Sequence, residues 1–151
     1  MAMAGSSFVY VTYIRSPQQK VWDALTKPEF QKLYWFGMHQ QTDWKPGSSW
    51  KLLFADGRVA DMGEVLQFDA PSRLAIKWRN EIRPDFKDEG FTRCVMSLEH
   101  DGELTKLTID HSIEREGAKI ITEGVSIGWP KILSSLKSML ETGDALARFK
   151  A

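Results

Sequence analysis

The chain has 151 residues, of which 42% are hydrophobic and 26% are charged, and its twenty basic and twenty acidic side chains give a formal net charge of zero. That length accommodates one domain with a sizeable core, whereas the balanced charge lacks the basic surface of a nucleic-acid-binding protein, so no nucleic-acid partner is expected. No apolar run approaches the roughly 20 residues that cross a bilayer as a helix, so no membrane span is predicted.

The N-terminal residues and the cysteine count bear on location. Residues 1–7 (MAMAGSS) have neither the basic region nor the apolar region of a secretory signal, and we expect a disordered or tag-like leader before a single domain over residues 8–151. The one cysteine, Cys94, excludes an internal disulfide and a cysteine-based zinc cluster. Together these features favour a cytoplasmic protein.

The N-terminal part of the chain carries a strand signal followed by two helix signals. Residues 8–15 (FVYVTYIR) alternate and are rich in β-branched and aromatic side chains, which predicts a first strand. Ser16 and Pro17 are typical of a helix start, and this helix is expected to end near Thr26. Pro28 begins a second short helix. The apolar residues expected on the two helices are Val21, Trp22, Leu25, Phe30, Leu33, Tyr34 and Trp35.

After the second helix the apolar period changes from 3.6 to 2, which predicts antiparallel hairpins in series. Asp-Gly pairs mark two of the turns between them, and Gly63 is expected to mark a bulge or a bend. The polar residues 80–90 are expected to form an exposed loop. The predicted strands span residues 38–44, 49–54, 58–68, 73–79, 91–100 and 104–114.

Residues 124–142 carry the longest amphipathic pattern in the chain. Their apolar side chains recur at steps of three and four, so they fall along one helical stripe that needs a broad apolar surface. Pro130 cannot donate a backbone hydrogen bond, and we therefore expect a kink or a restart there. A sheet that packs against this helix makes an α+β domain. The stripe comprises Val125, Trp129, Ile132, Leu133, Leu136, Met139 and Leu140.

Four stretches of the chain carry a family resemblance. GEVLQFDAPSRL at residues 63–74, continuing to Trp78, is similar to the G-x-V-L-x-x-D-x-P-x-R-L-x-x-x-W run of the activator of Hsp90 ATPase homologue 1-like (AHSA1-like) branch of the START-like, or SRPBCC, superfamily. Residues 16–26, 107–111 and 128–141 resemble other parts of the same pattern. The resemblance implies the helix-grip (START/Bet v 1-like) fold, a curved antiparallel sheet wrapped around a long C-terminal helix with two short helices after the first strand.

The resemblance implies several functions and selects none. Members of the family bind apolar or aromatic small molecules, carry lipids, cyclise polyketides or stimulate the Hsp90 ATPase. Our leading hypothesis is a small-molecule-binding protein whose hydrophobic or aromatic ligand lies in a cavity between the C-terminal helix and the sheet. One alternative is a cyclase- or hydrolase-type enzyme that uses the same cavity. An Hsp90-type chaperone-interaction module is less favoured, because the eukaryotic co-chaperone has an additional N-terminal domain for which 151 residues leave no room.

The candidate ligand-binding residues are aromatic or soft side chains around one histidine. Alternation places His111 on the inner face, where it would orient a ligand or act as a base near neutral pH; the alternative is a core histidine whose hydrogen bonds are satisfied internally. The tryptophans form either a cavity wall or ordinary core packing. No catalytic residue is assigned. The predicted lining is Trp35, Trp50, Met62, Trp78, Met96, His111, Trp129 and Leu133.

Other kinds of site are not indicated. His39, His100 and His111 lack the spacing of metal ligands, and no glycine-rich phosphate-binding motif is present, so neither a metal nor a cofactor is expected. Cys94 has no basic neighbour in sequence that would lower its pKa, and a catalytic thiolate is not expected. The predicted partner is a hydrophobic small molecule. A homodimer is a further expectation, because a small domain with an exposed sheet edge often pairs with itself.

Overall fold

The computed structural model describes residues 5–146, and within them the elements follow the order that the change of period predicts. In chain order they are β1 (Ser6–Ile14), α1 (Gln18–Thr26), α2 (Pro28–Tyr34), β2 (His39–Thr42), β3 (Ser49–Leu53), β4 (Val59–Asp69), β5 (Arg73–Asn80), α3 (Pro84–Asp88), β6 (Thr92–Asp101), β7 (Leu104–Ile113), a π-helix (Ile120–Val125) and α4 (Ser126–Thr142).

The strands form one curved sheet in the order β1-β7-β6-β5-β4-β3-β2, and every neighbouring pair is antiparallel. Trp129, Leu133 and Leu136 of α4 are buried in one cluster with Ile76 and Ile109 of the sheet. The stripe of α4 therefore packs on the inner face of the sheet, because both surfaces are apolar and each removes the other from water. The predicted α+β helix-grip fold is confirmed.

The neighbouring strands β4 and β5 approach each other closely at Gly63. Gly63 pairs with Trp78, and a Cβ atom at Gly63 would lie only 1.6 Å from the backbone oxygen of Lys77. Glycine is therefore required there by the closeness of the neighbouring backbone. The register shift in this pair of strands lies between Val65 and Gln67 and not at Gly63, where the sequence had suggested a bulge.

The start of the chain differs from expectation in two details. β1 begins at Ser6, which pairs with Ile113, so the first strand takes in two residues of the expected leader, while residues 1–4 lie outside the described part of the chain. Pro17 occupies the N-cap position of α1, and no side chain caps that helix. Ser16 is therefore not the cap that the sequence suggested.

The second helix buries only part of its predicted apolar set: Tyr34 and Trp35 are buried as expected. Phe30 and Leu33 are exposed, whereas Gln31 is buried. The Gln31 amide donates to the backbone oxygen of Leu25 at 2.8 Å. Gln31 is therefore buried although it is polar, because its side chain is hydrogen-bonded there, while the apolar Phe30 and Leu33 face outward.

The segment 80–90 is more than an exposed loop. It contains α3, and Phe86 of this helix is buried in a second apolar cluster with Ile113, Ala118 and Ile121. One aromatic side chain among charged neighbours is enough to anchor the segment, because burying it removes a large apolar area from water.

The C-terminal helix begins irregularly. A π-helix over Ile120–Val125 precedes α4, and α4 continues as α-helix on both sides of Pro130. The predicted kink or restart at Pro130 is therefore not where the helical geometry changes; that change lies at the π-helix. No helix within residues 5–146 is long and apolar enough to cross a membrane.

Candidate functional site

A cavity of about 250 Å³ lies between the sheet, the π-helix and the first turns of α4. Its walls come from the end of α2, from β3 to β7, from α3 and from the C-terminal helical segment. Most of its lining is aromatic or aliphatic, with a few polar groups from the strands. The lining includes Trp35, Asp61, Trp78, Phe86, His111 and Trp129.

Four of the eight predicted lining residues lie at this cavity, namely Trp35, Trp78, His111 and Trp129. Three others are buried elsewhere in the core: Trp50, Met96 and Leu133 are at most 1% exposed. Whether any of them contacts a ligand stays a prediction.

Met62 is a correction to the predicted lining. In β4 its neighbours Asp61 and Gly63 pair with Asn80 and Trp78 on the inner side, and successive side chains of a strand point to opposite faces. Met62 therefore points to the outer face of the sheet, where its sulfur lies 4.0 Å from a guanidinium nitrogen of Arg79.

The predicted convergence of the four tryptophans is present in the structure. The ring centroid of Trp78 lies 4.4 Å from that of Trp50, 5.7 Å from that of Trp129 and 6.2 Å from that of Trp35. The rings of Trp35 and Trp129 are 5.6 Å apart. Offset and tilted pairs at these distances attract each other. They form one aromatic wall that joins α2, β3, β5 and α4.

Trp50, which does not line the cavity, is held in the core by a buried network of polar side chains. Its indole N–H donates to the Gln40 side-chain oxygen at 2.8 Å, and the Gln40 amide donates to the Leu25 backbone oxygen at 3.0 Å. The Gln40 backbone N–H donates to the side-chain oxygen of Gln31 at 2.7 Å. The network fixes α2 and β2 against β3. Sequence patterning missed it because it looks for apolar side chains.

His111 is hydrogen-bonded through both ring nitrogens. Its Nδ1 accepts from the Trp129 indole N–H at 3.0 Å, and its Nε2 lies 2.7 Å from Oγ1 of Thr92. Since Nδ1 accepts, Nε2 carries the proton and donates to Thr92. The Thr92 hydroxyl in turn donates to the backbone oxygen of Trp78 at 2.8 Å. This chain of bonds leaves neither nitrogen free.

The same arrangement disfavours a charge on His111. Burial lowers the pKa of His111 to about 3, and a proton on Nδ1 would face the N–H of Trp129, which can only donate. At neutral pH the imidazole is therefore neutral. Of the two alternatives that the sequence left open, this geometry corresponds to the internally satisfied histidine.

Asp61 is the acidic residue of the cavity, and the sequence patterns did not predict it. Its side chain comes from β4 and is 8% exposed. Burial raises its pKa to about 7, although hydrogen bonds from the side chains of Trp78 and Asn80 oppose that rise. The alternation of side chains along β4 could have revealed it. Asp61 lies two and four residues before Gly63 and Val65, so all three belong to the inner face of the strand.

The rim of the cavity is made by α3 and the π-helix. A Cβ atom at Gly124 would lie 3.3 Å from the ring of Phe86, so the two segments touch. The carboxylate of Glu89 accepts hydrogen bonds from the backbone N–H groups of Lys119 and Ile120, both at 2.8 Å. It thereby satisfies two of the donors at the start of the helical segment. Neither α3 nor this contact was predicted.

The other candidates offer little reactive chemistry. Cys94 is buried, and burial followed by the nearby carboxylate of Asp110 raises its pKa, which keeps the thiol protonated. Among residues 5–146, no group of three or more His, Cys, Asp or Glu side chains is arranged to hold a metal ion.

Comparison with known proteins agrees with this architecture. The family model for "Activator of Hsp90 ATPase homolog 1-like protein" matches residues 15–141. No protein with a curated description matches the sequence.

Solved structures share the fold at low sequence identity. CalU16 from Micromonospora echinospora is 22% identical with a TM-score of 0.72, and the match covers 92% of this chain and 78% of that one. PFC0360w, an HSP90 activator from Plasmodium falciparum, is 19% identical with a TM-score of 0.72, covering 89% and 95%. The Aha1 dimer from Colwellia psychrerythraea is 19% identical with a TM-score of 0.69, covering 91% and 98%.

Proposed function

The chain belongs to the family of activator of Hsp90 ATPase homolog 1-like proteins, and from that premise we propose that it binds a small hydrophobic or aromatic molecule in the cavity between α4 and the sheet. One observation carries the proposal: a cavity of about 250 Å³ is lined by five aromatic side chains. Concave apolar sites with a few polar groups are typical of small-molecule binding. The lining aromatic residues are Trp35, Phe36, Trp78, Phe86 and Trp129.

The volume limits the size of the ligand. An apolar cavity of roughly 150 Å³ takes up benzene, so a cavity of about 250 Å³ suits a molecule with a single substituted ring or a compact aliphatic body. Burial of apolar surface would supply most of the affinity, and the polar groups at Asp61 and Asn80 would supply orientation.

The experiment is native mass spectrometry of protein purified from its own host, followed by mass analysis of the molecules released on denaturation. Gly128 lines the cavity and has open space where a Cβ would lie, so Gly128→Leu is expected to fill the site and lower the retained ligand. Ser134→Leu adds a leucine at an exposed position of the same helix and serves as the matched control. Equal retention by both variants, or no retained molecule in a folded wild-type protein, would contradict the proposal.

A cyclase- or hydrolase-type enzyme in the same cavity has less support. Both nitrogens of His111 are engaged, and no carboxylate contacts this imidazole in residues 5–146. If there is turnover through His111, His111→Ala should abolish it and leave ligand binding largely intact. Unchanged turnover would remove His111 from that mechanism.

An Hsp90-type partner is a second candidate, and the observation that favours it is the family match. The HSP90 activator among the structural neighbours is 19% identical, a likeness that supports only the fold. The test is whether the purified chain raises the ATPase rate of an Hsp90-type chaperone. A homodimer and a cytoplasmic location stay predictions, the first checked by sedimentation and the second by fractionation of the host cell.

A further inference from the structure

Asp61 is an acid buried in a mostly apolar cavity wall, and no cation within residues 5–146 pairs with it. Its side chain is 8% exposed, and no ion pair within residues 5–146 includes it. Taking a carboxyl group out of water without a counter-charge is costly, so the fold gains nothing from an acid at this position. Buried ionisable groups in clefts of this kind often mark functional sites.

The groups that face Asp61 are neutral. The indole N–H of Trp78 and the amide of Asn80 donate to it. The backbone N–H groups of Ile82 and Arg83 donate to the Asn80 oxygen at 3.0 and 2.9 Å, which turns its amide nitrogen toward the carboxyl.

The charged groups nearby do not neutralise Asp61. Among residues 5–146, the charge that acts on it is that of Glu81, which disfavours ionisation. Glu81 is itself paired with Arg79 at 2.6 Å and with Lys87 at 3.4 Å. The other titratable group on the cavity wall is His111, which is neutral. A cation at Asp61 must therefore come from outside the described residues.

The surroundings of the carboxyl are suited to a cation. Trp78 hydrogen-bonds to Asp61, and the rings of Trp35 and Trp129 lie 6.2 and 5.7 Å from the Trp78 ring, centroid to centroid. The faces of indole rings attract positive charge, most strongly where water is excluded. A carboxylate in a cavity that three indole rings also line offers an amino group an ion pair and aromatic faces in one site.

We infer that the ligand of this cavity carries a cationic amino group, held at Asp61, on a compact aromatic or aliphatic body. The inference rests on the proposed function and adds the chemical class of the ligand. Asp61 binds the ammonium group, the Trp78 and Asn80 donors hold the carboxylate in place, and the remaining aromatic side chains enclose the apolar body.

The charge of Asp61 makes the expected binding depend on pH in a defined direction. In the free protein the pKa of Asp61 is about 7, so the carboxyl is mostly ionised at pH 8 and mostly protonated at pH 6. An alkylamine stays protonated over this range. The dissociation constant for an amine should therefore rise by about tenfold from pH 8 to pH 6, because the anionic form is the one that binds the cation.

The experiment compares two probes of the same shape, 2-phenylethylamine and 2-phenylethanol, by isothermal titration calorimetry. At pH 8 the amine should bind at least about tenfold more tightly than the alcohol, a difference expected of a desolvated charge pair. Asp61→Asn should remove that preference and keep the alcohol affinity. Glu64→Gln, which removes an exposed acid of the same strand, should leave both affinities unchanged.

The outcomes separate the inference from the proposed function. If both probes bind the wild-type protein equally at pH 8, or if Asp61→Asn keeps the preference for the amine, the inference is overturned while small-molecule binding stands. If the alcohol binds and the amine does not, the cavity accepts only neutral ligands and the inference again fails. If neither probe binds, the inference and the proposed single-ring ligand fail together.

Discussion

The indole N–H of Trp129 on α4 donates to Nδ1 of His111 on β7 at 3.0 Å, and this hydrogen bond joins the C-terminal helix to the sheet beside the cavity. Both side chains are buried, at 3% and 1% exposure. A polar contact between two otherwise apolar surfaces fixes one docking position for the helix, because any shift would leave a buried donor and a buried acceptor unpaired.

Replacing Trp129 tests that contact. Trp129→Phe removes the N–H and leaves Nδ1 of His111 buried without a donor, so we expect a loss of about 1–3 kcal/mol in unfolding free energy from the hydrogen bond alone. The measurement is urea denaturation. Trp44→Phe is the matched control, because the Trp44 indole N–H donates to the Thr26 oxygen at 3.0 Å in a half-buried setting where water can take its place. Equal losses in the two variants would contradict a special role for the Trp129 contact.

The pH dependence of stability should contain two opposing contributions. The folded-state pKa of His111, about 3, lies below the unfolded value near 6.5, so the unfolded chain binds more protons between these values. This contribution makes the protein less stable as pH falls from 6.5 towards 3. The folded-state pKa of Asp61, about 7, lies above the unfolded value near 3.9. That contribution makes the protein more stable as pH falls from 7 towards 4.

Single substitutions should reveal each contribution separately. In Asp61→Asn, unfolding free energy should fall more steeply between pH 6 and pH 4 than in the wild-type protein, because the opposing Asp61 contribution is gone and the His111 contribution alone amounts to as much as about 1.4 kcal/mol per pH unit. In His111→Asn the Asp61 contribution is no longer opposed by His111, so unfolding free energy should fall less than in the wild-type protein on acidification from pH 7 to pH 4.5. The wild-type profile should lie between those of the two variants. Urea titrations at a series of pH values measure all three, and parallel profiles would contradict both assignments.

Sequence pattern predicted the elements whose burial is continuous and periodic. The alternation in Arg73–Asn80 and Leu104–Ile113 and the stripe in Ser126–Thr142 each follow from one face meeting one core, and these elements lie where predicted, with their ends within two residues. Trp78 and Trp129 converge for the same reason.

Pattern failed where a single residue, and not a period, decides the structure. Phe86 is the one side chain of α3 that is buried, and it holds that helix in place. At Gly63 the backbone oxygen of Lys77 on the neighbouring strand leaves no room for a side chain. Asp61 was missed because an acid in an inner-face position runs against the apolar rule that identified its strand. Met62 was assigned to the lining by composition, although the strand parity set by Gly63 places it outside.

Glu89 should control the order of the π-helix at the cavity rim. Its two carboxylate oxygens accept from the N–H groups of Lys119 and Ile120, and an amide can accept through only one of its two atoms. Glu89→Gln should therefore speed amide hydrogen exchange at these two residues, measured by NMR, without lowering global stability by more than about 1 kcal/mol. The neighbouring exposed Asp88→Asn serves as the control, and equal exchange in both variants would contradict the capping role.

Two glycine-to-alanine substitutions should have opposite effects on stability. At Gly63 the new Cβ would lie 1.6 Å from the backbone oxygen of Lys77, and no side-chain movement can relieve that overlap, so β4 must separate from β5. We expect Gly63→Ala to destabilise the fold by about 3 kcal/mol or more.

Gly128 lies inside α4, and a Cβ there would meet no atom within 4 Å. Alanine loses less backbone freedom than glycine on folding and favours helix, so Gly128→Ala should raise unfolding free energy by about 0.5–1 kcal/mol. Urea denaturation of both variants checks the pair, with the slope of the transition showing whether the unfolded chains are comparable. A small loss at Gly63 would mean that β4 and β5 can separate locally without cost to the sheet. A loss at Gly128 would mean that this turn of α4 is not held as a regular helix, and the cavity wall that it forms would then be looser than its packing indicates.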